Sequence, residues 1–126
     1  MRSWAVVLLL AGCGDKAADS AAAEDPCGRR PVLEWDNFGK GLMDKHCNGC
    51  HSNLIERAAR KGAPLGVDFN TYAGVLEFAD RIGARSRGEA PTMPPGGGPD
   101  PVERAMLEEW LQCEVAADKA ALAEGR

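Results

Sequence analysis

Cys47-Asn48-Gly49-Cys50-His51 sets two thiols three residues apart, with an imidazole directly after the second. Two thiols on one turn can each add to a vinyl group of the same porphyrin. The following histidine is then carried under the iron, where a ring nitrogen ligates it. C-x-x-C-H is the attachment pattern of a c-type haem. With five Cys and two His in 126 residues, chance would produce it on the order of 0.003 times per chain. Two other chemistries use such thiols. A redox dithiol of the thioredoxin kind needs a preceding strand and a βαβ unit, and the flanking sequence offers neither. A zinc site needs four ligands, and only His46 and three distant cysteines remain to complete one. Covalent attachment of one haem c through Cys47 and Cys50, with His51 on the iron, is therefore the expectation.

A second stretch, Thr92-Met93-Pro94-Pro95-Gly96-Gly97-Gly98, holds a thioether where no helix or central strand can form. Core packing is a poor use for a methionine in a stiff loop. Thioether sulfur is a good sixth ligand to haem iron, and His/Met ligation raises the potential. Met93 is the expected partner of His51. Met43 and Met106 lie on helix faces whose burial accounts for them.

These two stretches need elements to hold them. Trp35, Phe38, Gly39, Leu42, Met43, His46 and Cys47 recur at helical spacing, one face of a helix running into the thiols, with Asp36 or Asn37 available to cap it. Tyr72, Val75, Leu76, Ala79 and Ile82 make a second stripe behind a Thr71 cap. Phe69 and Phe78 are placed to cover the porphyrin edges. Asp100-Pro101-Val102-Glu103 is a helix start, with Asp at the cap, Pro at the first position and Glu closing the box. Met106, Trp110 and Cys113 continue that helix, with Leu107 and Leu111 beside them. Trp110 is expected to cross the first helix near Gly39 and Met43. No strand is expected. The fold class is all-α, three to five helices around one haem. A domain near 90 residues in a chain with 6 % aromatics makes a thin core, which a covalent porphyrin would fill and tie together.

Arg57, Arg60 and Lys61 form a basic cluster. A solvated helix face is the first reading, a propionate contact or docking patch the second. Arg81, Arg85 and Arg87 are further propionate candidates, and the sequence selects none of them. The net charge of −4 argues against a nucleic-acid partner.

The N-terminus reads as an address and an anchor. Arg2 followed by Trp4 to Leu10 is a short signal peptide, far below a membrane span. Leu10-Ala11-Gly12-Cys13 resembles the bacterial lipobox, which implies cleavage before Cys13 and its acylation. Two or three acyl chains anchor firmly where one is marginal. Residues 1–12 are thus a lipoprotein signal peptide, and 13–26 a lipidated cysteine and Ala-rich acidic tether. Residues 27–113 are the haem domain, and 114–126 a helical extension or tail. Gly14 and Asp15 do not select inner or outer membrane. Cys27 and Cys113 have no haem or lipid role, and in an exported protein two leftover cysteines pair.

C-x-x-C-H, Met93-Pro94-Pro95 and the two terminal helices together resemble class I monohaem cytochromes c, over about residues 27–113. Gly39, Met43 and Cys47 are similar in spacing to the first helix of that family, with Met43 where an aromatic is usual. The resemblance implies a small cytochrome c-like fold. It also implies a proline carbonyl about a dozen residues past the ligand histidine that fixes the ring; Pro64 lies in that region. It further implies electron transfer in the cell envelope, facing the periplasm, between redox partner proteins, with no small-molecule substrate and no enzyme activity of its own. Two other functions are weighed: a haem-bearing subunit of a larger oxidoreductase, and a small-ligand sensor or weak peroxidase if Met93 does not ligate.

Overall fold

The computed structural model describes residues 25–126. The expected signal peptide, the expected lipidation site Cys13 and nearly all of the expected tether lie outside the described residues. Among the described residues every regular element is helical and no strand forms, as the stripes require.

The first helix starts with a wide turn, Trp35–Gly39, in which the Gly39 amide reaches back to the Glu34 carbonyl. It continues without a break as α1, Lys40–His46. Glu34, not Asp36 or Asn37, is the capping residue. Asn37 contributes from the third helical position, its Oδ1 accepting from the Glu34 amide at 2.8 Å. A single 3₁₀ turn, Arg57–Arg60, interrupts the long connection. Helix α2, Tyr72–Ser86, begins at Thr71, whose hydroxyl accepts from the Gly74 amide. Helix α3, Pro101–Trp110, has the expected box at its start: Asp100 accepts from the Val102 and Glu103 amides, and Glu103 accepts from the Asp100 amide. A wide turn, Leu111–Val115, carries it into α4, Ala116–Ala123.

The first helix and α3 cross where Gly39 meets the Trp110 ring. A Cβ on Gly39 would lie 2.3 Å from that indole, so only glycine permits the approach. Trp110 is fully buried, with Trp35 and Tyr72 rings beside it and Phe38 edge-on. Leu42, Met43, Val75, Ala79, Ile82, Leu107 and Leu111 complete the core. Cys27 and Cys113 sit at disulfide distance, with Cα atoms 5.6 Å apart. A link closing so long a loop stabilises by about 4 kcal/mol in the chain-entropy model.

The segment after Cys113 is more than a tail. Val115 is fully buried in the core. Asp118 accepts from the Tyr72 hydroxyl at 2.8 Å, and Lys119 pairs with Asp80 at 2.6 Å. The folded unit therefore extends past residue 113 at least through Lys119. An Ala-rich composition hid this, because one buried valine and two polar ties carry the docking.

Candidate functional site

Helix α1 ends in Cys47, and two overlapping backbone turns place Cys50 and His51 directly after it: the Cys50 and His51 amides both donate to the Cys47 carbonyl. The two thiols are unlinked. They line, with His51 and Met93, one cavity of about 270 Å³. Pro64, Val67, Phe69, Phe78 and Ile82 supply much of its apolar wall, and Arg81 and Arg85 its positive charge. Four residues separated by up to 46 positions in sequence are thus brought together, and the helices expected to position them do so.

His51 is oriented from behind. Its Nδ1–H donates to the Val67 carbonyl at 3.0 Å. A carbonyl only accepts, so the proton belongs on Nδ1 and the Nε2 lone pair is left available. Phe69 stacks on the ring at 4.8 Å between centroids, and the Phe69 amide donates to the His51 carbonyl. The expected acceptor was Pro64. The structure gives that role to Val67, while the Pro64 carbonyl accepts from Arg60 Nη2 at 2.6 Å. Pro64 still lines the cavity.

Arg60 is the residue the sequence reading missed. It is not on a solvated face but 1 % exposed. Its guanidinium donates to the Ser52, Ala63, Pro64 and Val67 carbonyls and to the Asp68 carboxylate, the last at 2.6 Å. Five N–H groups thus meet five acceptors, which is what a buried guanidinium requires. Four of those acceptors are main-chain oxygens, whose position no side-chain pattern announces. Only the Asp68 carboxylate, eight residues on, was a sequence signal, and it was a weak one.

Met93 is held more simply. The Arg85 carbonyl, one of the unpaired acceptors in the last turn of α2, takes both the Thr92 and Met93 amides at 2.8 and 2.9 Å. Gly98 folds against Pro94, where a Cβ would come within 2.4 Å of the ring. The Met93 side chain remains 39 % exposed. Met43 is fully buried in the core and is spoken for by packing.

His46 is tied to the start of α3. Its Nε2 lies 3.1 Å from Glu103, which also takes Lys45 Nζ at 2.6 Å. These bonds, led by that from Lys45, hold the Glu103 carboxyl below its usual range. Arg87 lies toward Glu108, away from the cavity, so Arg81 and Arg85 are the arginines available to an anionic group within it.

The thiol chemistry bears on the competing readings. Burial pushes the Cys47 thiol up to about 11, the reverse of the lowered pKa that makes a redox dithiol reactive. Cys47 also follows a helix C-terminus, where the local field opposes a thiolate. Among the described residues no group of three or more His, Cys, Asp or Glu side chains is placed to hold a metal ion, so a four-ligand zinc site is not assembled among them. A porphyrin asks for something different: one apolar slot, two neighbouring unlinked thiols, and two further donors to its metal. The residues present fit that demand. No protein-family model, curated protein or solved structure matches the chain.

Proposed function

We propose that the cavity holds one haem c, attached through Cys47 and Cys50 with His51 and Met93 as axial donors, and that the protein is a monohaem cytochrome c-like electron carrier. The observation that carries this is the convergence of both thiols, the imidazole and the thioether on one apolar cavity. Bound there, haem supplies a one-electron Fe(III)/Fe(II) couple. The chain does the rest. Val67 keeps the proton on His51 Nδ1 and presents Nε2 as a donor. The Arg85 carbonyl holds the loop that offers Met93. Phe69, Phe78 and Ile82 keep water from the slot, and Arg81 and Arg85 offer cations to carboxylates at its edge.

With both axial donors supplied by protein, no substrate needs to reach the metal, and the natural partners are other redox proteins. The lipobox-like Cys13 places such a carrier on the cell envelope, facing the periplasm. A second reading, a sensor of small ligands, is favoured by one observation only: Met93 sits on an exposed loop, its amide held by the Arg85 carbonyl.

The test is intact mass and haem staining of denatured protein from a host that matures c-type haem. One haem retained per chain, lost in Cys47→Ala/Cys50→Ala, is expected. Reduced protein should not bind carbon monoxide; ready binding moves the reading to the sensor. Haem-free wild-type chain from such a host contradicts both.

A further inference from the structure

The Val67 carbonyl accepts two hydrogen bonds: His51 Nδ1–H at 3.0 Å and Arg60 Nη2–H at 3.1 Å. We infer that Arg60 is a positioning residue for His51, fixing the shared carbonyl and weakening its pull on the imidazole proton, so that it sets the reduction potential of the site. The inference rests on the haem reading above and deepens it.

Three features of Arg60 act together. First, Arg60 spans both sides of the ligand. Nη1 holds the Ser52 carbonyl, one residue past His51, at 2.7 Å, while Nη2 holds the Pro64 and Val67 carbonyls. One rigid planar fork thereby fixes the distance between the histidine and its acceptor. Second, a carbonyl oxygen has two lone pairs. A charge-assisted bond at one of them draws density from the other, so the His51 Nδ1–H bond is weaker than to a free carbonyl. A weaker acceptor leaves the imidazole less anionic, and a less anionic ligand favours Fe(II). Third, the guanidinium is almost wholly buried and ion-paired with Asp68, so it acts on the site through the shared carbonyl rather than as a net charge.

Asp68 balances the charge of Arg60 at 2.6 Å, so removing the arginine alone would strand a carboxylate. The informative variant is Arg60→Gln/Asp68→Asn, which keeps net charge and approximate shape while freeing the Val67 lone pair. In the full-length haem-loaded protein this variant should have a lower potential. At fixed ambient potential the reduced-to-oxidised ratio should fall about tenfold, which is about 59 mV for one electron. The His51 Nδ1–H resonance of the reduced protein should move downfield as its bond strengthens. An unchanged potential and unchanged resonance in a folded variant carrying one haem overturn the role of Arg60 and leave the haem reading standing. Wild-type chain without haem overturns the haem reading and this inference with it. Should the double variant not fold, wild-type protein decides by NMR: Arg60 Nη protons protected from exchange support the shared carbonyl, and freely exchanging ones overturn it.

Discussion

The two sides of the cavity are built differently. On the His51 side, residues 47–70 turn back on themselves around a buried guanidinium, and every donor of Arg60 has a partner. On the Met93 side, the residues between α2 and α3 are held by the Arg85 carbonyl at one end and by Arg104 on the Pro99 carbonyl at the other, and stay largely exposed between. The first side holds its donor in place before anything binds. The second side presents its donor with much less around it. A fixed histidine and a lightly held methionine would give an electron carrier one ligand that defines the site and one that completes it.

Breaking the stronger side should cost most. Arg60→Ala removes the guanidinium that pairs with Asp68 and ties four carbonyls together, and should destabilise the protein by about 3–5 kcal/mol, read by denaturant unfolding of the haem-free chain. The frame beneath that side comes next. Gly39→Ala forces a methyl into the Trp110 ring and should cost about 1–3 kcal/mol in the same measurement. Thr71→Ala removes the hydroxyl that caps α2, the helix both sides share, and should cost about 1 kcal/mol. Met93→Ala should change stability by less than about 0.5 kcal/mol, as for an exposed position. It should nonetheless open the loaded protein to carbon monoxide. A large stability loss at Met93, or none at Arg60, would erase the contrast.

A last, smaller effect concerns pH. Burial, ahead of the opposing bond from Trp110 Nε1–H at 2.5 Å, raises the Glu114 carboxyl above its usual range. The native state therefore holds that proton more tightly than the unfolded chain. The resulting stability is full below the unfolded carboxyl value and is lost as pH rises through the folded one. Glu114→Gln keeps an acceptor for Trp110 and cannot ionise. Stability measured from mildly acidic to neutral pH should lose this component of its slope in the variant, and a slope identical to wild type contradicts the assignment.

Much of the scaffold was legible because it follows local rules. The Asp100 box, the Thr71 cap and the stripe from Trp35 to Cys47 are patterns of side-chain type at fixed spacing. The crossing of Gly39 with Trp110 was expected from the resemblance of the first helix to that of class I cytochromes c, and the structure shows the approach. Cys27 and Cys113 were readable by having no other role. The features that escaped depend on the path of the main chain. Val67 rather than Pro64 meets His51, since any residue carries a carbonyl and only the loop's course selects one. Arg60 turns inward for the same reason. Val115 joins the core from an Ala-rich segment whose periodicity is too weak to announce it. The haem reading rests on motif and cavity together: spacing proposes the chemistry, and the cavity gathers the residues it would need.

The visible absorption spectrum of the exported protein, oxidised and reduced, tests the central claim most directly. The account predicts a c-type haem at one per chain by pyridine haemochrome, low-spin in both states, with the weak far-red band of methionine-ligated ferric iron. A haem spectrum without that band would remove Met93 from the iron and leave Cys47, Cys50 and His51. No haem, in a host that matures c-type cytochromes, would contradict the account.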